Sequence, residues 1–231
     1  MKVLAIDTSN YTLGVALLDG EKVIGEYITN LKKNHSVRAM PAIQQLMTEC
    51  EVNPKELNKI VVAKGPGSYT GVRIGVTIAK TLAWTLNIPI SGVSSLEVIA
   101  AQGRFFNGLI SPLFDGRRGQ IYTGLYKVRK DSVQTILEDQ ILQSTDWAET
   151  LRSYDEKILF IGNDLPLHKE VLQDILKEQA EFAPPVSFNP RPSELAFLGL
   201  HKPDEDVHTF VPNYVRLAEA EANWLSKQKE K

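Results

Sequence analysis

Residues 61–75, VVAKGPGSYTGVRIG, have the pattern of a buried strand, a glycine-rich turn and the start of a helix. A glycine turn that opens a helix directs free backbone N–H groups and the positive end of the helix dipole at one point, which suits an anion. The turn lacks the Walker A ending, because Val72 and Arg73 follow Gly71 where that motif has lysine and then serine or threonine. A turn that shapes the chain is therefore favoured over a phosphate site.

The glycine spacing also departs from the dinucleotide-binding fingerprint. Gly65, Gly67 and Gly71 are spaced Gly-x-Gly-x-x-x-Gly, which is one residue longer than that fingerprint requires. Pro66 removes one backbone N–H donor from the turn. The spacing therefore gives no support to a nicotinamide or flavin dinucleotide site.

We interpret five residues as parts of a structural loop: Gly65, Gly67, Tyr69, Gly71 and Arg73. The glycines let the chain turn sharply and start the helix close to the sheet. Tyr69 serves as a surface anchor or as a core filler, and the sequence does not choose between them. Arg73 lies in the first helical turn, where the dipole disfavours a cation, so we expect a carboxylate or another partner beside it.

The composition argues against several classes of protein. The 231 residues include 26 basic and 28 acidic side chains, so no overall field attracts nucleic acid, and tight RNA binding by this chain alone is not favoured. The overall charge does not exclude a local basic patch. Cys50 is the only cysteine, which excludes an internal disulfide and fits a reducing compartment. The apolar run 1–6 reaches Asp7 before it forms a signal-peptide core, so we expect a cytoplasmic protein without a membrane segment.

Two halves of the chain repeat one pattern of predicted elements. Each half starts with strands around an aspartate turn, Asp7 in the first half and Asp115 in the second, and continues with helix, strand and helix. The pattern predicts two related α/β lobes. The first comprises residues 1–103 together with a C-terminal amphipathic helix within 212–231, and the second, smaller and degenerate lobe comprises residues 104–211.

Four segments carry a resemblance to a known family: 4–9, 65–75, 115–122 and 211–216. They resemble the bacterial TsaB family, formerly called YeaZ, and the glycine-loop segment 65–75 is the most specific of them. The resemblance implies the two-lobed fold of actin, sugar kinases and heat-shock ATPases, also named ASKHA or RNase H-like, in which mixed sheets are flanked by helices.

The resemblance also implies a function and partners. Proteins of the TsaB family are noncatalytic partners of TsaD, the enzyme that transfers a threonylcarbamoyl group to the adenosine next to the anticodon of tRNAs reading ANN codons. A TsaB protein alone is a homodimer, TsaD replaces one copy in the working complex, and the ATPase TsaE joins that pair. It follows that tRNA is reached only through the complex.

An enzyme of the same fold, a small-molecule kinase or ATPase, is the alternative. In the wider superfamily the first aspartate turn faces phosphates and metal, so Asp7, Thr8 and Ser9 are the candidates for a vestigial phosphate-facing site. Both turns are incomplete here, since Arg117 and Arg118 lie where a second phosphate loop would be glycine-rich. Phosphoryl transfer depends on a positioned metal and charge clamps. We therefore expect no catalytic residues and no required cofactor, and weak nucleotide binding stays open.

No metal site is expected from the histidines. Proteins of the TsaD type hold a metal through His-x-x-x-His, because imidazoles at i and i+4 share one helix face. The four histidines, His35, His168, His201 and His208, contain no such pair. His35 lies near the matching helix, and the favoured interpretation is a surface or capping residue.

Two predicted helices, 36–50 and 71–86, are apolar around most of their circumference. A lobe-surface helix needs only one such face, so we predict that both helices meet a partner, although a thick core would also use both faces. Methionines suit a surface that repacks against different partners. The predicted partner interface consists of Val37, Met40, Ile43, Met47, Val72, Gly75, Val76, Ala79 and Ala83, with Gly75, Ala79 and Ala83 forming a stripe of small residues.

Overall fold

The computed structural model describes residues 1–129 and 132–215 of the 231. The strands in this part are β1 Lys2–Asp7, β2 Thr12–Asp19, β3 Lys22–Asn30, β4 Leu57–Ala63, β5 Ile90–Val93, β6 Leu109–Arg117, β7 Gln120–Arg129, β8 Ser132–Gln143, β9 Ile158–Ile161 and β10 Ala180–Phe182. The helices are α1 Ala39–Glu49, α2 Tyr69–Leu86, α3 Ser95–Ala101, α4 Ser144–Leu151, α5 Leu165–Leu176 and α6 Pro192–His201. Over these ranges, none of the helices has both the length and the apolar character needed to cross a bilayer.

The strands form two five-stranded mixed sheets with the same internal order. The first sheet runs β3-β2-β1-β4-β5, and the second runs β8-β7-β6-β9-β10 when read in the same direction. In each sheet the first three strands in sequence form an antiparallel meander. The fourth strand pairs in parallel with the first, and the fifth pairs in parallel with the fourth. The repeated pattern and the two-lobed α/β fold are therefore confirmed.

Helices cover both faces of the first sheet. Alternate residues of a strand point to opposite faces, so Leu4 and Ile6 of β1 pack under α1 and α2. Val3 and Ala5 point the other way and join a cluster with residues of α3 and α6. Because β1 is central and buried on both faces, it is apolar at consecutive positions rather than at alternate ones.

The second sheet is covered by α4 and α5 on one face and by α3 on the other. Trp147 of α4 is fully buried there, and its indole Nε1 donates a hydrogen bond to the hydroxyl of Ser111 at 2.9 Å. Ile99 of α3 belongs to the cluster with Phe114 and Tyr126 of β6 and β7. Since α3 also contributes Val98 to the first-lobe cluster, it is the helix that joins the two lobes.

The boundaries predicted for the lobes need one correction. Helix α6 and the segment 203–215, assigned mostly to the second lobe by sequence, pack on the first sheet. The backbone N–H of Glu205 donates to the carbonyl of Ile90 at 2.8 Å, and that of Asn213 donates to the carbonyl of Lys64 at 2.6 Å. The second lobe therefore ends before α6. Apart from residues 212–215, the predicted terminal helix within 212–231 lies outside the described residues.

Candidate functional site

The glycine loop between β4 and α2 is locked to the turn that follows β1. The backbone N–H of Ser68 donates to the carbonyl of Ser9 at 2.7 Å, and the hydroxyl of Thr8 donates to the carbonyl of Gly71 at 2.7 Å. Ser68 also caps α2, because its hydroxyl accepts from the N–H of Gly71 at 3.2 Å. Two of the backbone N–H groups that a phosphate loop would present, those of Ser68 and Gly71, are thus used within the protein.

Steric contact explains why two of these positions are glycine. A Cβ on Gly67 would overlap the carbonyl oxygen of Ser9, and a Cβ on Gly71 would overlap that of Thr8. Each overlap is with backbone rather than with a flexible side-chain end, so relief requires the two loops to move apart. The structural interpretation of the loop agrees with this geometry.

Gly65 fixes the other end of the loop. It has a φ of +100°, a conformation that side chains with a Cβ rarely adopt. Its N–H donates to the hydroxyl of Ser95 at 3.1 Å, and a Cβ would lie 2.7 Å from the carbonyl oxygen of Asn213. The loop is therefore held from three directions: by the β1 turn, by the start of α3, and by the segment before residue 215.

Tyr69 is a half-exposed surface residue, which decides between the two roles expected for it. Its ring centroid lies 5.1 Å from that of Tyr214. The expected partner of Arg73 is this same tyrosine, because Arg73 Nη1 donates to the Tyr69 hydroxyl at 3.0 Å and the guanidinium lies 5.3 Å from the ring centroid. A cation–π contact, rather than a carboxylate, thus compensates the cation in the first turn of α2.

The predicted phosphate-facing residues are mostly engaged below the surface. Asp7 is 1% exposed, and its Oδ1 accepts from the N–H and the hydroxyl of Ser9 at 2.8 and 2.7 Å. Its Oδ2 has no hydrogen-bond partner among the described residues. Burial raises the pKa of this carboxyl group above its ordinary value, and the hydrogen bonds from Ser9 oppose that rise.

A pH-dependent stability follows for Asp7. The pKa of Asp7 is raised in the folded state, so Asp7 ionises first in the unfolded chain, near the ordinary value of 3.8. The folded state therefore loses stability as the pH rises above 3.8. Asp7→Asn cannot ionise. We expect urea unfolding to show the variant gaining stability over the wild type as the pH rises above 3.8. Asp155→Asn, at an exposed position, is the control, and a gain independent of pH would contradict the assignment.

A cavity of about 990 Å³ lies between the lobes, and the two aspartate turns are on its opposite walls. Ser9 lines this cavity, whereas Asp7 and Thr8 are buried behind it. The first lobe contributes the turn after β1, the loop before α1 and the glycine loop, and the second contributes the β6–β7 hairpin and Asp164. Tyr214 and its neighbours close one side.

His35 is a cavity residue that the sequence placed at the surface or in a cap. It is 9% exposed, and its Nε2 lies 2.7 Å from the carbonyl oxygen of Asn10. A carbonyl oxygen only accepts, so Nε2 carries a proton, and Nδ1 has no hydrogen-bond partner among the described residues. His168 is buried in the second lobe beside Asp115, at 3.1 Å. Within the described ranges, no three metal-ligating side chains come together.

Most residues of the predicted partner interface face their own lobe. Ile43, Met47, Val72, Gly75, Val76, Ala79 and Ala83 are all buried on the first sheet. The small-residue stripe serves close packing within the lobe: a Cβ on Gly75 would lie 2.5 Å from Thr8 Oγ1 and 3.7 Å from Val62 Cγ2.

Large apolar side chains are nevertheless exposed on these two helices and just before them. Val37, Met40 and Trp84 are 69%, 44% and 67% exposed. A groove of about 590 Å³ runs between α1 and α2 and is lined by Met40, Ile43, Met47 and Leu82, among others. Of the predicted interface residues, Val37 and Met40 are exposed, and Ile43 and Met47 line the groove. Trp84 was not predicted to belong to the interface.

Comparison with known proteins identifies the relatives of this chain. The tRNA threonylcarbamoyladenosine biosynthesis protein TsaB of Bacillus subtilis is 60% identical over 229 residues, which are 99% of this chain and 100% of that protein. The chain belongs to the TsaB family. The Escherichia coli protein of the same name is 33% identical over 129 residues, 55% of each chain. A family model described as "TsaD: tRNA N6-adenosine threonylcarbamoyltransferase" also matches, over residues 22–224.

Solved structures share the TsaB-family fold. "YeaZ from Pseudomonas aeruginosa" has a TM-score of 0.79 and 22% identity, and the match covers 92% of this chain and 99% of that one. A second structure, of "an uncharacterized protein with similarity to peptidase YEAZ" from the same organism, has a TM-score of 0.80 at 22% identity and covers 93% and 99%. At this identity the likeness concerns the fold alone.

Several cavity residues of this TsaB-family chain were not singled out by sequence. Tyr11, Lys32 and Lys33 line the first-lobe wall, and Tyr214 reaches the cavity from the segment that returns to the first lobe. Aromatic and basic residues in loops are common in any sequence, so no local pattern distinguished them. Their proximity depends on how the loops of both lobes are placed.

Proposed function

We propose that this chain is a noncatalytic scaffold and activator subunit in tRNA threonylcarbamoyladenosine biosynthesis. It binds TsaD and, together with TsaE, supports transfer of the threonylcarbamoyl group to the adenosine next to the anticodon of tRNAs reading ANN codons, in the cytoplasm. The name of its Bacillus subtilis relative supports the pathway. The chain requires no cofactor of its own, and any nucleotide binding is weak.

The observation that carries the partner role is the open apolar groove between α1 and α2. Met40 is exposed at this groove, and two further large apolar side chains are exposed nearby in sequence, Val37 just before α1 and Trp84 near the end of α2. Contiguous exposed apolar surface on a soluble protein typically marks a protein interface, and tryptophan is enriched among the residues that dominate binding energy. A second copy of the chain occupies this face when the protein is alone, and TsaD replaces it.

The internal contacts of the first aspartate turn support a noncatalytic role. The hydroxyl of Thr8 is committed to Gly71, and the hydroxyl of Ser9 is committed to Asp7. Binding a phosphate or metal at this turn would require breaking these buried hydrogen bonds, each worth roughly 1 kcal/mol or more. The alternative, a small-molecule kinase or ATPase, needs these groups free.

Substitution of the apolar face tests the partner role. Trp84→Glu and Met40→Glu are expected to weaken both the homodimer and the TsaD complex by at least about tenfold, because each places a charge in the desolvated centre of the interface. Phe105→Glu is the matched control, since Phe105 is an almost fully exposed ring outside these helices. Sedimentation measures the homodimer, and co-elution from a sizing column measures the complex.

The same proteins distinguish the two functions. Restoration of tRNA modification only when TsaD, TsaE and threonylcarbamoyl-adenylate are present supports the scaffold. A substrate-dependent ATP turnover by the isolated chain, lost in Asp7→Ala, would establish the kinase or ATPase instead. Unchanged association in both Trp84→Glu and Met40→Glu would move the interface elsewhere.

A further inference from the structure

Four basic side chains line the interlobe cavity from both walls. Lys32 and Lys33 belong to the loop before α1, and Arg117 and Arg118 form the tip of the β6–β7 hairpin. Within the described ranges, none of the four forms a salt bridge with a carboxylate. The two arginines have φ values of +67° and +53°, and Arg118 thus occupies a turn position that usually favours glycine or asparagine.

The acidic residues of the cavity do not neutralise this charge. Asp115 Oδ1 accepts from the N–H of Arg117 at 3.1 Å and contacts His168 Nε2 at 3.1 Å. Asp164 Oδ2 accepts from the N–H of Asp115 at 2.9 Å. Both carboxylates are thus held by local hydrogen bonds of the second lobe, and the long basic side chains are left to meet a ligand.

Four tyrosines line the same cavity. Tyr122 is partly buried, whereas Tyr11, Tyr69 and Tyr214 are all half-exposed, although aromatic rings gain most by burial. The Lys32 ammonium lies 5.5 Å from the centroid of the Tyr11 ring, and Arg73 stands over Tyr69. Aromatic faces are therefore presented beside cations. We refer to the four basic residues and the three half-exposed tyrosines together as the cleft rim.

From these observations we propose that the cleft rim binds single-stranded RNA, with bases stacked on the tyrosine rings and backbone phosphates contacted by the basic side chains. Stacking on aromatic residues in a basic groove is the general way in which proteins hold unpaired nucleotides. The inference deepens the proposed function, on which it rests, because it gives this chain its own contact with the unpaired anticodon loop.

Two features favour an RNA strand over a free nucleoside triphosphate. Two backbone donors that could cradle a polyphosphate, the N–H groups of Ser68 and Gly71, are used internally. The basic groups are instead on flexible side chains spread over two walls, which suits phosphates that follow one another along a strand.

Fluorescence anisotropy of the full-length chain with labelled RNA tests the proposal. One probe is an RNA stem-loop with an unpaired anticodon loop, and the second is a duplex of the same stem without the loop. We expect tighter binding of the stem-loop and a fall in affinity as salt concentration rises. ATP is the competitor that detects a mononucleotide site.

Matched variants separate charge from stacking. The double variant Lys33→Gln, Arg118→Gln should weaken binding of the stem-loop about tenfold and reduce the salt dependence, by roughly 0.7 in logarithmic slope for each phosphate that is no longer neutralised. Tyr11→Leu should weaken binding severalfold at an unchanged salt slope, because stacking involves no ion release. Lys55→Gln and Phe105→Leu, both exposed and outside the cavity, should bind as the wild type does.

Three results would overturn the proposal. The first is that the chain binds stem-loop and duplex with equal affinity and that Tyr11→Leu has no effect. The second is that ATP displaces the stem-loop at low concentration. The third is that the chain binds neither RNA. The proposed function is judged separately, by association of Trp84→Glu with TsaD. Loss of RNA binding with intact association would therefore refute the RNA contact and leave the scaffold role standing.

Discussion

Ala79→Glu is expected to unfold the first lobe rather than to separate subunits. Ala79 has no exposed surface and lies in the cluster that joins α2 to the first sheet. Glutamate there adds volume to a close-packed layer and buries a carboxylate without a partner, a defect that costs roughly 3–5 kcal/mol. Because a domain of this kind is stable by only about 5–15 kcal/mol, the midpoint of urea unfolding should fall sharply.

Thr77→Glu is the control for this prediction. Thr77 is an exposed position of the same helix, so the same new side chain reaches solvent and the urea midpoint should hardly change. A circular dichroism spectrum and urea midpoint that are unchanged in Ala79→Glu, together with a loss of dimer, would contradict the packing seen here. That outcome would return the small-residue stripe to the subunit interface.

Gly71→Ala is expected to destabilise the protein by about 3 kcal/mol, against the sign of helix propensity. In the first turn of a helix, alanine is normally better than glycine by up to about 1 kcal/mol. Here the new Cβ meets the backbone carbonyl of Thr8, and relief of that overlap pulls apart the hydrogen bonds from Thr8 to Gly71 and from Gly71 to Ser68. Guanidinium unfolding followed by tryptophan fluorescence measures the difference.

The adjacent residue supplies the comparison for Gly71. Thr70→Ala changes an exposed position in the same helical turn, and we expect a small gain in unfolding free energy from helix propensity. If Gly71→Ala and Thr70→Ala each raised the unfolding free energy slightly, the turn after β1 would have room to move. The glycine loop would then be a flexible connection rather than a fixed one.

Local patterns were sufficient to predict the two-lobed fold. The strands of the first lobe and the start of α2 depend on short-range signals, namely apolar runs and turn residues. β8 had no such signal, since its residues are partly exposed and mostly polar. Its match to β3 in the repeated strand order is the clue that could have located it.

The periodicity of apolar residues could not show which neighbour the apolar faces of α2 contact. Gly75, Ala79 and Ala83 form the same stripe whether the helix packs on its own sheet or on another subunit. The choice is made by Thr8 and Val62, which are distant in sequence and fill the space that the stripe leaves. For the same reason the cavity could not be predicted residue by residue, because its walls come from loops of both lobes and from Tyr214 near the end of the described chain.

The discontinuity of the first lobe has a consequence for synthesis on the ribosome. Its sheet is complete by Val93, yet α6 and the segment that bonds to Ile90 and Lys64 emerge only after the whole second lobe has been translated. Until then the face of β1 and β4 that α6 covers is bare, an apolar surface exposed to other nascent chains. The contiguous second lobe can fold first, as a unit. We therefore expect the lobe that begins the chain to be the last to close.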